Sequence, residues 1–396
     1  MANRGSDPLP DGQPAPTLGD VVAVLDAAYP PETAQPWDAV GLVCGDPADP
    51  VRTVVLAVDP VAGVVDEAIE AGAQLLVVHH PLLLRGVHSV AATTAKGRLL
   101  HRLIRAGCAL YVAHTNADVA RPGVSDALAR MLGLDDLQPL VPTPGSERLC
   151  LVTVVPAASV AAVLDAATGA GALELDGDRP VTSAGHAAAD ADADALAATS
   201  TAGVPGAEVR LELELPATAR EAVLAAVRGA HPSAKPVLHV TQLVPTEVGT
   251  GIGRVGRLSE PTTLERFALA VAEALPHTPQ GVRVSGDPAA EVQTVAVCGG
   301  SGDDLFDAVR ASGADVYLTA DLRHHPASEA RESAAGGRPF LVDVAHWASE
   351  WPWLYGCADR LHRELAARGT DVETHVSVLS SDPWTLRLSS SGGVVR

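Results

Sequence analysis

The sequence predicts an α/β fold: a two-lobed, mixed-sheet metal-binding domain interrupted by a smaller α+β insert. Three observations predict it. Short Val/Leu-rich runs alternate with amphipathic stretches on both sides of the chain's middle, the grammar of strand–helix–strand units. Several of those runs end on histidine or carboxylate residues, where open α/β sheets place their ligand sites. At Val141-Pro142-Thr143-Pro144-Gly145 the punctuation changes and a separate β-α-β-α-β series begins. A chain of 396 residues is too long for one compact core. Residues 1–140 and 246–396 are therefore read as two halves of the metal-binding domain, and 141–245 as the inserted domain.

The elements follow from local pattern. The N-terminal segment through Asp20 is polar and Pro-rich, and Thr17 to Tyr29 reads as a helix with Val21, Val22, Leu25 and Ala28 on one face. Strands are expected near 53–58, 74–79 and 109–114, with helices near 61–72, 95–107 and 125–132. The insert offers strand 148–155, helix 157–169, strand 208–214, helix 216–229 and strand 236–243, an order that suggests a ferredoxin-like unit. Residues 180–206, rich in Ala, Asp, Gly and Ser, are too poor in large apolar groups to pack and are read as a flexible loop. Helix 262–275, strand 292–298, helix 303–312, strands 314–319 and 339–344, and a long helix from about 350 to 367 complete the second half.

Composition excludes several classes. Apolar residues make up 47% but aromatic ones only 3%, so the core must be built of Val, Leu and Ala, which suits helix-on-sheet packing. The formal net charge of −20 argues against a nucleic-acid or anionic-membrane surface. The five cysteines are scattered with no C-x-x-C spacing, so neither a zinc ribbon nor a disulfide framework is expected. No apolar leader is seen and no run approaches the ~20 apolar residues of a membrane span, so a soluble, cytoplasmic protein is expected.

The chemistry lies at the strand ends. His79-His80-Pro81 closes the run Gln74 to Val78; Pro81 must turn the chain, which lets neighbouring imidazoles approach one cluster. His114-Thr115-Asn116-Ala117-Asp118 follows a third run, with His114 expected to ligate or to orient Asp118. His346 and Glu350 follow Phe340 to Asp343; with Ser349 as N-cap and Pro352 in the first turn, His346 falls in the preceding loop and Glu350 at the helix start. Three imidazoles and two carboxylates exceed the needs of one catalytic zinc. They suit two divalent ions ~3.5–4 Å apart, bridged by a carboxylate and a water. Without a thiolate in the set, Zn, Mn or Fe(II) are all admissible. The residual positive charge would draw a small anionic or phosphorylated substrate.

Two glycine motifs need separating from this. Gly251-Ile252-Gly253-Arg254-Val255-Gly256 matches a dinucleotide pattern but lacks a following helix. Gly299-Gly300-Ser301-Gly302 follows a strand, and reads equally as a phosphate grip or as a tight turn into a helix. Thr319, Asp321, His324 and His325 follow strand 314–319 and are candidates to line the same crevice, His324 as a proton-transfer group.

Taken together, "PWDAVGLVCGDP", "LVVHHPLLL", "AHTNADVA", "GRVGRL", "VCGGSGDDLFDAVRASGADVYLTADLRHH" and "LVDVAHWASE" resemble the Nif-three-like dinuclear metal centre hexameric proteins, the GTP cyclohydrolase I type 2 homologues. The resemblance spans nearly the whole chain outside the insert. It implies metal ligands at His79, His80, Asp118, His346 and Glu350, two divalent ions per chain, a homo-hexamer and hydrolytic opening of the GTP imidazole ring with loss of formate. The pattern departs at Ala39, at Ala345 and Trp347, and in the insert at Ser233-Ala234; none removes an expected ligand. Two other readings stay open: a non-catalytic metal-binding or regulatory scaffold, and a phosphoesterase using the same centre.

Overall fold

Three short strands made almost wholly of Val, Leu, Ala and Tyr cannot bury both faces alone, and the first sheet shows how they are covered. Its order is Gly41–Cys44, Ala109–Val112, Leu75–Val78, Thr53–Ala57, Glu373–Val376. The last four are parallel and Gly41–Cys44 is an antiparallel edge. Alternate residues point to opposite faces. Val54, Leu56, Leu75, Val77 and Tyr111 pack with the helices Leu18–Ala28 and Trp353–Ala367, while Val55, Leu76, Val78, Leu110 and Val112 pack with Ala62–Glu70 and Ala95–Ala106. The computed structural model describes residues 15–143, 148–172, 182–184, 208–243, 249–388 and 394–395.

The second sheet has six strands in the order Arg283–Ser285, Phe340–Val344, Val316–Ala320, Glu291–Ser301, Gly251–Thr263, Leu134–Pro142. Phe340–Val344, Val316–Ala320 and Glu291–Ser301 run parallel to one another; the other pairs are antiparallel. Both sheets are thus mixed, and each borrows a strand from the far side of the chain: Leu134–Pro142 joins the second sheet and Glu373–Val376 the first. One continuous core joins the facing layers, running from Val54 and Leu75 to Val295, Leu318 and Val342.

The chain forms two compact units, Met1–Thr143 with Gly249–Arg396, and Pro144–Val248. The second unit has an antiparallel sheet in the order Thr182–Ala184, Glu208–Pro216, Arg148–Pro156, His239–Gln242. Its helices Val160–Gly169 and Arg220–Ala230 bury Val163, Ala167, Val223 and Val227 against Leu151, Leu211 and Leu213. The loop expected over 180–206 is interrupted by the strand Thr182–Ala184, and the rest of it lies outside the described residues, as does the N-terminal segment before Ala15. Among the described residues no helix is long and apolar enough to cross a membrane.

A buried ion pair joins the strand Gly251–Thr263 to the helix Val124–Met131. Arg254 is 1% exposed, and its Nη2 lies 2.6 Å from Asp126 Oδ2 and donates to Ala120 O at 2.6 Å. Nη1 donates to the Gly251 and Gly253 carbonyls. Asp126 in turn caps the helix Val124–Met131 by accepting from Gly123 N at 2.9 Å. The glycine motif around Arg254 is therefore part of a strand, and its arginine fastens the loop that leaves Asp118. Removing one partner of a buried pair strands the other charge. Arg254→Met is expected to lower the unfolding free energy by roughly 3–5 kcal/mol, and Arg254→Met with Asp126→Leu to recover most of it in denaturant titrations.

Candidate metal centre

The C-terminal ends of parallel strands from both sheets converge on one point. Leu75–Val78 delivers His79 and His80; Ala109–Val112 delivers His114 and Asp118; Phe340–Val344 delivers His346 and Glu350. His79 and His80 keep backbone hydrogen bonds to Ala57 and Val58 carbonyls while their rings, 5.0 Å apart, enter the same cluster. His346 and Glu350 differ from expectation. They lie on one short helix, His346–Glu350, which follows Ala345 without a side-chain cap, so the four-residue spacing does put both side chains on one face. Ser349 caps nothing: its hydroxyl donates to His346 O and accepts from Gly300 N, and the long helix begins afresh at Trp353.

Four imidazoles face inward with their Nδ1 atoms anchored outward. His79 Nδ1 meets Ala113 O at 2.8 Å, His80 Nδ1 meets Asp59 Oδ1 at 2.7 Å, His114 Nδ1 meets Asp38 Oδ1 at 2.9 Å, and His346 Nδ1 meets Asp321 Oδ2 at 2.7 Å. A carbonyl only accepts, and the three carboxyls stay ionised. Burial works against the charge on Asp38 and Asp59, but the imidazoles bonded to them hold both below the usual carboxylate range. The His346 hydrogen bond does the same for Asp321. Each Nδ1 therefore carries a proton, and in a neutral ring Nε2 is a lone pair aimed at the centre.

Between them sits Glu350, 3% exposed. Its Oε1 is 3.5 Å from His79 Nε2 and 2.9 Å from His346 Nε2; its Oε2 is 3.2 Å from His80 Nε2. Asp118 Oδ1 stands 3.7 Å from His79 Nε2. His80 and His346 bring their Nε2 atoms within 3.2 Å of one another, an arrangement two lone pairs do not tolerate unless a cation shares them. His79 Nε2 and Glu350 Oε2 are buried without a hydrogen-bond partner. Two groups, His79/His80/His114 and His80/His346/Glu350, hold their donor atoms within 4.8 Å of each other, and each can hold a metal ion. The nitrogen and oxygen donors fit a divalent cation.

The backbone is shaped to this cluster. Gly300 has φ +70°, and a Cβ on it would clash with Glu350 Oε1 and stand 3.2 Å from His346 Nε2. Thr319 Oγ1 donates to Gly300 O, and Ser125 Oγ accepts from Gly299 N. The Gly299 and Gly300 amides are thus engaged, which removes them as a phosphate grip; the strand runs to Ser301 and the next helix starts only at Phe306. Asp321, with φ +56°, reaches the cluster. His324 and His325 do not join either donor group: both are exposed at the start of the helix His324–Ser333, their rings 5.2 Å apart.

His114 orients itself on Asp38 rather than on Asp118, a partner that reading the strand ends did not single out. Asp59 was missed as well. Both could have been found by the rule that found Asp118, a carboxylate just beyond a strand or turn, applied to "AVDP" and "PWDA".

The family model described as Duf34/NIF3 (NGG1p interacting factor 3) matches residues 16–383. The chain belongs to this family. Among its relatives, the Mycobacterium tuberculosis protein named "GTP cyclohydrolase 1 type 2 homolog" is 48% identical over 375 residues, covering 93% of this chain and 97% of that one. A Bacillus cereus protein related to NIF3 superposes with a TM-score of 0.72 at 31% identity, covering 94% and 99% of the two chains. Staphylococcus aureus protein SA1388 does so with a TM-score of 0.78 at 27% identity, covering 93% and 98%. The mixed α/β fold of this NIF3-family protein is that of its structural relatives.

In metal-free protein, protons would take the cation's place. Burial disfavours charge on His80, yet Glu350 and Asp59 push its pKa to about 11; burial likewise opposes His346, which Glu350 and Asp321 push to about 10. Burial raises Glu350, but the three surrounding imidazoles overcome this and hold it well below its usual range. Burial lifts Asp118 to about 6 and lowers His114. His80 and His346 have folded pKa values above the unfolded 6.5. Their stabilisation is therefore complete below about pH 6.5 and is lost as pH rises through about 10–11. The melting temperature of chelator-treated protein is expected to fall steadily between about pH 7 and 10, and that slope to flatten on adding Zn²⁺ or Mn²⁺.

Proposed function

We propose that the protein is a metal-dependent hydrolase resembling GTP cyclohydrolase, with His79, His80, Asp118, His346 and Glu350 holding two divalent ions, Zn, Mn or Fe. The observation that carries this reading is Glu350: one buried carboxylate whose two oxygens face different imidazoles, the disposition of a bridging ligand. His79, His80, Asp118 and His346 would supply the remaining ligands. The names of the relatives support the GTP-directed activity. Support for the remaining parts is structural in kind. The βα(β)βαβ order and antiparallel 2-3-1-4 arrangement of the second unit favour a ferredoxin-like insert, and the two mixed sheets of the first favour two lobes. A homo-hexamer and a small anionic or phosphorylated substrate remain part of the proposal.

When bound, a pair of such ions lowers the pKa of a water between them and polarises an acceptor carbon's oxygen or nitrogen partner. The chain's own residues do the rest. Asp59, Asp38, Asp321 and the Ala113 carbonyl fix the four ring orientations, which sets where the lone pairs meet before any substrate arrives. Trp353, 1% exposed, lies 5.5 Å from the His79 ring and shields that side from water. His114, kept neutral by burial and by neighbouring imidazoles, offers a ring nitrogen beside His79 and His80. The exposed His324, three residues beyond Asp321, is the proposed carrier of protons to solvent.

Metal content per chain, read by plasma mass spectrometry, is expected to be about two ions in the wild type and to drop sharply in Glu350→Ala. Gly300→Ala, by displacing Glu350 Oε1, is expected to reduce metal affinity by roughly 10–100-fold while the circular dichroism spectrum is kept. Metal-loaded protein should release formate from GTP. Phosphate release without formate would favour the phosphoesterase, and stoichiometric metal with no turnover of either kind would leave the scaffold.

A further inference from the structure

Trp37 is the feature beside the cluster that the metal reading leaves unexplained. It is 58% exposed, although an indole carries a large apolar area that is usually buried. Its ring lies 6.0 Å from the His114 ring at 76°, and His114 is itself 5.1 Å from His79 and 5.5 Å from His80. The indole is therefore one ring away from the proposed ligands.

The exposure is held in place. The turn carrying Trp37 is bolted to the helix Thr115–Val119 by hydrogen bonds on both sides of the indole. Gln35 N donates to Thr115 Oγ1 at 2.9 Å; Asp38 Oδ2 accepts from Thr115 N at 3.0 Å and from Thr115 Oγ1 at 2.5 Å; Asp38 Oδ1 accepts from His114 Nδ1 at 2.9 Å. Within the turn, Asp38 N donates to Gln35 O and Ala39 N to Asp38 Oδ1. A satisfied polar network thus presents an apolar, planar group to solvent at the rim of a cluster built for cations. The same Asp38 that sets the His114 ring also fixes the turn that carries the indole.

From this we infer that Trp37 is a binding platform on which a planar heteroaromatic ring, a purine base, stacks while the ligand's polar end faces the cluster. The inference rests on the proposed hydrolase site and names how that site takes its substrate. Stacking on an aromatic side chain tolerates any base but requires one, so it distinguishes a nucleotide from an anion of equal charge.

The test uses the full-length, Mn²⁺-loaded protein and two probes, GTP and inorganic tripolyphosphate, in titration calorimetry. Trp37→Ala is expected to weaken GTP binding about tenfold or more while tripolyphosphate binding and metal content stay unchanged, and Trp37→Phe to keep most of the GTP affinity. Equal loss for both probes, or none for GTP, would overturn the platform. So would a shift of oligomeric state in Trp37→Ala, read by light scattering, because it would assign the indole to an interface between copies. GTP bound by the wild type through Trp37 without formate release would sink the cyclohydrolase reading and leave the platform standing. Formate release unaffected in Trp37→Ala would do the reverse, and a wild type that binds neither probe would remove both.

Discussion

A single buried carboxylate organises this end of the molecule. Glu350 is taken out of water into contact with His79, His80 and His346. Burying a charge is costly unless counter-charges and hydrogen bonds offset it. Here the compensation comes from imidazoles whose own Nε2 atoms crowd one another. Neither part is stable alone. The carboxylate needs cations, the lone pairs need cations, and protons or divalent ions satisfy both at once. Gly300 without a side chain, and Ser349 and Thr319 pinning the Gly300 peptide, are local consequences of giving that carboxylate room.

The surrounding fold is arranged to make the convergence possible. Parallel strands send their C-terminal ends to the same edge, so two facing sheets bring five strand ends together without long loops. Each end carries a ligand candidate, the acceptor that fixes one, or both. Thr53–Ala57 leads to Asp59 for His80; Val316–Ala320 leads to Asp321 for His346; Ala109–Val112 leads to Ala113 for His79. The strand exchange between the two sheets, and the Arg254 clamp on the Ala120 loop, keep the halves in register. A core of Val, Leu and Ala, with few aromatics, lets helices lie close on both sheet faces.

Much of this was readable from the residues. The strands that form the centre of each sheet are continuous Val/Leu runs, which are distinctive because both faces are buried. The remaining strands were not readable. Arg283–Ser285 has only three residues, Gly41–Cys44 opens on glycine, Glu373–Val376 reads Glu-Thr-His-Val with a single apolar residue, and Leu134–Pro142 and Gly251–Thr263 contain Pro or Gly that argue against strands. Their pairing is a tertiary outcome. The helix at His346 was misplaced for a related reason: Ser349 and Pro352 look like a helix start, but a five-residue helix ending at Glu350 satisfies Ser349 through Gly300, from another strand.

The sequence by itself determined the chemistry available: which residues end the buried strands, that imidazoles and carboxylates dominate those ends, and that no thiolate joins them. Only the tertiary structure decided which acceptor each imidazole would find, because Asp38 is 76 residues from His114 and His346 meets a ring 266 residues away in His80. Strand ends are written locally in apolar periodicity. The orientation of a ring depends on the atom across from its Nδ1, and that atom is supplied by whichever strand the packing of two sheets places beside it.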